Sequence, residues 1–161
     1  MASYSVLCDL TEQIAGDTVD VTCLIEAGED PHIYSATPSD RRAVENADLV
    51  LYGGYGFEPD IIQMADSTDG NTPVIAVSEI AVSDPLLGEA HDHGSHGDED
   101  HDDHGHDHHG HDHHGHDHHG HDDHGEEGMS PDPHVWHDAE NGIAIVRVIQ
   151  EELSVISPDN A

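Results

Sequence analysis

The chain has 161 residues, of which 36 are acidic, 19 are histidine and only three are basic, so its formal net charge is −33. This balance excludes nucleic-acid binding and attachment to anionic membrane surfaces, because both need cationic patches. The length suits one modest domain. The acidic excess is typical of proteins adapted to high salt, where screening weakens self-repulsion.

The first stretch of the chain predicts a helix followed by a strand. Leu10 and Ile14 lie one helical turn apart, and Gly16 ends that pattern. Apolar residues then alternate from Val19 and continue to Ile25, which predicts a strand that runs into a loop.

The middle of the chain continues this alternation of helices and strands. In "TPSDRRAVE", Thr37 is a helix N-cap, Pro38 is the first helical residue and Asp40 completes a capping box. "DLVLYGG" and "TPVIAV" predict short buried strands, and helices are expected at 58–65 and 139–154. The order predicts an α/β fold, with a short parallel sheet flanked by helices and ligands bound at the carboxyl ends of its strands.

Residues 89–127 form a histidine tract of a different composition. The tract holds 16 of the 19 histidines and no apolar side chain larger than Ala90, and it repeats the unit Gly-His-Asp-His-His from Gly105. We expect it to be disordered without metal, because it cannot bury enough apolar surface to fold. The predicted division is therefore an α/β lobe at 1–88, a metal-binding loop at 89–130, and the return of the lobe at 131–161.

Clustered imidazoles and carboxylates on a flexible chain predict multidentate metal binding by the tract. Imidazole suits Zn²⁺, Cu²⁺ and Ni²⁺, while Mn²⁺ prefers oxygen donors. We expect Zn²⁺ as the physiological metal, ahead of Mn²⁺, Ni²⁺ and Cu²⁺. The candidate tract ligands are His106, His108, His109, His111, His113, His114, His116, His118, His119, His121 and His124.

Two segments outside the tract share the pattern Asp-Pro-His, a β-branched residue and an aromatic: "DPHIY" at 30–34 and "DPHVW" at 132–136. His32 and His134 are candidate metal ligands, and His137 is a possible further donor. Asp30 and Asp132 are candidates to orient the imidazoles by accepting the second ring N–H.

These segments resemble the signatures of the zinc and manganese solute-binding proteins of ABC transporters, the adhesin-type metal-binding lipoproteins. The matching stretches are "GEDPHIY", "TPSD", "ADL", "GGYGFE" and "DPHVWHDAEN", and Gly54 and Ala139 depart from the usual Asn and Pro. Zinc-specific members carry a histidine-rich loop where this chain has its tract. The resemblance implies one lobe of a two-lobed receptor, with His32 and His134 as two ligands of a metal held between the lobes.

The resemblance also implies partners and a location. The remaining ligands would come from a second lobe, the partner would be a membrane permease, and the protein would act outside the cytoplasm. The chain itself shows no signal peptide or membrane span, so we expect an amino-terminal lobe without its leader and second lobe.

Three functions follow as hypotheses. The first is the solute-binding component of high-affinity zinc uptake, and the second is a stand-alone histidine-rich buffer for zinc or nickel. The third is a zinc enzyme, which we rank last because the chain has no HExxH-like base.

Three residues outside the metal motifs complete the predictions. We expect Glu58 to be solvated or to cap the helix that it precedes. Cys8 and Cys23 belong to no CxxC motif, and we expect packed free thiols rather than a bridge.

Overall fold

Two short parallel strands organise the fold. Strand β1 (Val50–Tyr52) pairs in parallel with β2 (Val74–Ala76). The structure is a computed structural model that describes residues 1–67, 72–89 and 128–160. The segments Met1–Gly88 and Pro131–Ala161 make up one compact unit.

The remaining elements follow the predicted alternation. The α-helices are α1 (Ser5–Ala15), α2 (Pro38–Glu45), α3 (Pro59–Asp66), α4 (Val77–Ala81) and α5 (Ala139–Ile156). Single 3-10 turns occur at Pro31–Ile33, Val135–His137 and Pro158–Asn160, and strands β3 (Leu87–Glu89) and β4 (Met129–Pro131) form a second sheet. Within the described ranges, none of these helices has the length and apolar character needed to cross a bilayer.

Local sequence signals set the helix ends as predicted. Helix α2 starts with the full capping box: the Thr37 hydroxyl accepts the Asp40 N–H, and the Asp40 carboxylate accepts the Thr37 N–H at 2.7 Å. Helix α1 ends at Gly16, whose φ of +54° is the left-handed conformation that glycine adopts without strain. The predicted α/β class and helices are confirmed, and α4, β3 and β4 are additions.

The predicted strand at 19–25 is reduced to a single parallel bridge between Ala2 and Cys23. The adjoining hydrogen bonds run from Leu24 N to Ala2 O and from Ile25 N to Ser3 O. Val19, Leu24 and Ile25 lie in bends, so the prediction of a strand over this segment is wrong.

The expectation of free thiols is wrong, because Cys8 and Cys23 form a disulfide. Cys8 lies on the buried side of α1 and Cys23 lies at the bridge beside Ala2, which brings their Cα atoms to 5.8 Å. This separation is within the range that a disulfide spans. The sequence did not reveal the pairing because it depends on how α1 packs.

Helix α5 packs against α1 and α4 with one apolar face. Ile145, Val148, Ile149 and Leu153 are buried, whereas Ile143 is largely exposed. The core also contains Leu7 and Cys8 of α1, Val50 and Leu51 of β1, and Ile61 of α3. This core fixes the carboxyl end of β1, where the candidate site lies.

Candidate metal site

The two Asp-Pro-His turns bring their histidines together. His32 and His134 are separated by 102 residues in sequence, yet their Nε2 atoms lie 3.3 Å apart. In each turn the aspartate accepts the backbone N–H of the histidine two residues later, at 3.0 Å from Asp30 and 2.9 Å from Asp132. The shared motif thus builds the same local hydrogen bond twice, and both imidazoles are partly buried.

Asp132 also holds the ring of its histidine. Its Oδ1 lies 2.8 Å from His134 Nδ1, so this carboxylate accepts the ring N–H in the tautomer that is protonated on Nδ1. With the proton on Nδ1, the Nε2 atom that faces His32 keeps its lone pair for a metal. The hydrogen bonds from the His134 backbone and ring lower the pKa of Asp132 and keep it ionised.

Aromatic side chains surround the pair on its inner side. The ring of Phe57 lies 4.9 Å from that of His32 and 5.4 Å from that of His134. Tyr4 and Trp136 pack against Phe57 at 4.8 and 4.9 Å, and Trp136 lies 5.3 Å from His134. The sequence motifs predict the two turns but not the aromatic layer of Tyr4, Phe57 and Trp136, because these residues come from three separate segments. The available signal for Phe57 was its place in "GGYGFE", directly after the first predicted strand.

Glu58 is not solvated as predicted but fully buried. Its side chain makes no capping bond to α3 and turns inward, where Oε1 accepts hydrogen bonds from Ser3 Oγ at 2.6 Å and Gly53 N at 2.7 Å. Burial raises the pKa of this carboxyl, and the two hydrogen bonds offset part of that rise. Glu58 therefore anchors the segment that carries Phe57, and it does not face solvent. Glu140 is exposed in the first turn of α5.

Gly53 and Gly54 lie close to the carboxylates of two glutamate side chains. A Cβ on Gly53 would lie 2.9 Å from Glu58 Oε2, and one on Gly54, whose φ is +88°, would lie 2.6 Å from Glu79 Oε1. Glu79 accepts the N–H of Tyr55 at 2.7 Å, which fixes the turn.

The other predicted donors do not complete a cluster here. The exposed ring of His137 lies 6.3 Å from that of His134. In the part of the chain that the structure describes, no group of three or more His, Cys, Asp or Glu side chains could hold a metal ion. The tract histidines from His106 to His124 lie outside the described residues, so their role as ligands stays a prediction.

The spacing of the histidine pair suits one metal ion. Two nitrogens 3.3 Å apart, each about 2.0–2.1 Å from a common ion, subtend an angle of roughly 107° at that ion. This is close to the tetrahedral angle of about 109° that Zn²⁺ adopts. Two imidazoles alone would leave further coordination positions of such an ion open.

The chain is similar to metal-binding proteins of known families. The family model described as the periplasmic component A of a zinc-uptake complex matches residues 1–161. The manganese-binding lipoprotein MntA of Halalkalibacterium halodurans is 29% identical over 161 residues, which cover 100% of this chain and 40% of the relative. The manganese ABC transporter substrate-binding lipoprotein PsaA of Streptococcus mitis is 29% identical over 167 residues, covering 99% of this chain and 42% of the relative.

A solved structure matches the fold as well. The periplasmic zinc-binding protein TroA from Treponema pallidum superimposes with a TM-score of 0.68 at 25% identity, covering 98% of this chain and 44% of that one. The chain therefore spans less than half the length of the relatives that it matches. The matched family consists of solute-binding components rather than enzymes, which confirms the non-enzymatic prediction at the level of the family.

Proposed function

The chain belongs to the periplasmic metal-binding component family of ABC transporters, and we propose that it binds zinc through His32 and His134 for high-affinity uptake. The observation that carries this proposal is the 3.3 Å separation of the two Nε2 atoms. Asp132 supports it by holding the His134 ring with Nε2 turned toward His32.

The choice of zinc rests on donor chemistry. Both donors of the pair are imidazole nitrogens, which suit zinc better than manganese, and their spacing fits a tetrahedral ion. The names of the relatives do not decide the metal, because MntA and PsaA are named for manganese and TroA for zinc. Mn²⁺, Ni²⁺ and Cu²⁺ are the competing ions in this proposal.

The remaining ligands and the permease complete the proposed mechanism. Two nitrogens give an open site, so a second lobe supplies the third and fourth donors when the metal is held. The metal is then released to the membrane permease when the donors of the second lobe withdraw, because the histidine pair alone binds the metal weakly. Metal release is favoured in acid, since protonated imidazole cannot act as a ligand.

An extracytoplasmic location is part of the proposal. The relatives include lipoproteins and a periplasmic protein, according to their names. The disulfide between Cys8 and Cys23 supports the same location, because disulfides persist in oxidising compartments and are rare in the cytosol.

The histidine tract carries a second proposal: it collects zinc and raises its local concentration near the pair. The supporting observation is the density of histidine, with 16 of the 19 residues of this type between 89 and 127. The same observation favours the alternative function of a zinc or nickel buffer that acts through the tract alone.

Trp136 allows one experiment to separate these functions in the full chain. It is the only tryptophan of the protein, and its ring lies 5.3 Å from that of His134. We would titrate the full chain with Zn²⁺ and with Mn²⁺ at free concentrations fixed by a chelator, so that uptake by the tract does not deplete the ion. The proposal predicts a saturable change of Trp136 fluorescence at lower free Zn²⁺ than Mn²⁺, lost in His32→Ala. If the chain takes up metal but its Trp136 fluorescence shows no change that depends on His32, only the function of a metal buffer is supported.

A further inference from the structure

Phe57 contacts both candidate ligands. The plane of its ring makes an angle of 83° with the ring of His32 and 79° with the ring of His134, at centroid distances of 4.9 and 5.4 Å. Both are edge-to-face arrangements, which aromatic rings favour. One side chain therefore limits how far each imidazole can move inward.

The ring of Phe57 cannot easily recede from the histidines. Tyr4 lies against it at 4.8 Å and Trp136 at 4.9 Å, and only 4% of the residue is exposed. Protein interiors are packed as densely as organic crystals, so a ring enclosed in this way acts as a fixed spacer.

The backbone of Phe57 is fixed as well. Its N–H donates to Gly54 O at 3.1 Å, which closes the turn after β1. The next residue, Glu58, is fully buried and joins this turn to the first residues of the chain through Gly53 N and Ser3 Oγ. The backbone of Phe57 is thus tied to the end of the central strand, while Tyr4 and Trp136 hold its ring.

We propose that Phe57 is a positioning residue that sets the separation of His32 Nε2 and His134 Nε2 and so favours tetrahedral over octahedral ions. Two adjacent ligands of an octahedral ion subtend about 90° at the ion, whereas two ligands of a tetrahedral ion subtend about 109°. At equal bond length, the two nitrogens therefore lie closer together around an octahedral ion. A fixed ring between the imidazoles and the core opposes the rearrangement that would change their spacing. This inference rests on the proposed function, because it assigns the metal preference of the same site.

The test compares three substitutions of Phe57 in the full chain. Phe57→Leu and Phe57→Met keep an apolar side chain but remove the ring, and Met fills irregular space if the Leu variant does not fold. Phe57→Tyr keeps the ring. Ile149→Val is the matched control, because Ile149 is fully buried on α5 and its truncation lowers stability in the same core.

The measured quantity is the ratio of the dissociation constants for Mn²⁺ and Zn²⁺, read from Trp136 fluorescence at chelator-fixed free metal. We expect Phe57→Leu and Phe57→Met to reduce this ratio by about tenfold, the size of effect typical of groups that orient a ligand. The ratio in Phe57→Tyr and Ile149→Val should stay within about twofold of that of the unmodified chain, because a loss of stability alone lowers both affinities together.

Two results would overturn the inference, and they differ from failure of the proposed function. An unchanged ratio in both ringless variants would show that Phe57 does not select the metal. An equal fall of the ratio in Ile149→Val would show that general loosening of the core is the cause. If neither ion changes Trp136 fluorescence in the unmodified chain, the proposed function fails and this inference fails with it.

Discussion

The two Asp-Pro-His turns share a sequence pattern but differ in what surrounds them. Asp30 bonds to the backbone of His32, whereas Asp132 bonds to both the backbone and the ring of His134. The residue after the first histidine, Ile33, is 70% exposed, while its counterpart Val135 is 7% exposed and belongs to the core.

The aromatic residues of the two turns diverge in the same way. The hydroxyl of Tyr34 lies 3.0 Å from Asp40 Oδ2 and so ties the first turn to the capping box of α2. Trp136 instead packs with Tyr4 and Phe57 beneath the second histidine. A short motif therefore specifies a backbone turn, and long-range packing specifies how firmly each imidazole is held.

The largest predicted effect is shared by both turns. Replacing either His32 or His134 by Ala should weaken zinc binding by more than about 100-fold, which exceeds the roughly 10–100-fold typical of groups that merely orient a ligand. The measurement is the free Zn²⁺ at half-maximal change of Trp136 fluorescence. His137→Ala is the control, with little expected change. If His137→Ala weakens zinc binding as much, His137 is a third ligand. If only one of His32→Ala and His134→Ala weakens zinc binding, the two histidines do not bind the metal together.

The disulfide should stabilise the region that leads into the first turn. Cys8 and Cys23 are 15 residues apart, and closing a loop of that size contributes about 3 kcal/mol in the chain-entropy account. The Cys8→Ser/Cys23→Ser variant should lose roughly that much unfolding free energy in urea titrations. Reduction of the unmodified chain should give the same loss. Equal stability with and without the bridge would mean that packing of α1 alone holds this region.

The contrast between the two aspartates is testable with a matched pair. Asp30→Ala and Asp132→Ala both remove a hydrogen bond to a backbone N–H, but only the second removes the bond to the imidazole ring. We expect zinc affinity to fall by about 10–100-fold in Asp132→Ala and by clearly less in Asp30→Ala. Equal losses in the two variants would contradict a special role for the ring contact of Asp132.

The smallest predicted effect is the pH dependence of stability that comes from Glu58, which is fully buried. Because burial raises the pKa of Glu58 in the folded protein, its neutral form contributes stability that is complete below the ordinary pKa of about 4.3. That contribution is lost as the pH rises through the raised value. Glu58→Gln should therefore lose less stability than the unmodified chain between pH 5 and pH 8.

The matching measurement is thermal unfolding at each pH with a chelator present. Asp132, whose pKa is shifted downward, is present in both proteins, so its opposite contribution cancels in the comparison. Parallel pH profiles for the two proteins would show that Glu58 ionises in the folded state as it does in the unfolded chain.

The sequence predicted the features that depend on neighbouring residues. The capping box at Thr37 and Asp40 is local, and so are the turns in which aspartate, proline and histidine follow one another. The pairing of His32 with His134 was expected because both turns follow the same pattern and the family resemblance joins them.

Three other features that depend on distant residues were not predicted. The strand predicted at 19–25 is replaced by bends and one bridge from Cys23 to Ala2. The Cys8–Cys23 bridge depends on the face that α1 presents, and the burial of Glu58 depends on Ser3 from the start of the chain. Neither spacing nor composition encodes such contacts in a form that can be read from one sequence.

The most direct test of the site is a set of long-range ¹H–¹⁵N NMR spectra of the histidine side chains in the full chain, recorded as zinc is added. The ring signals of His32 and His134 are assigned by their absence in the two His→Ala variants. The account predicts that Nε2 of both residues shifts to a metal-bound value while Nδ1 of His134 keeps its proton on Asp132. Zinc-dependent shifts confined to the tract histidines, with His32 and His134 unchanged at saturation, would contradict it.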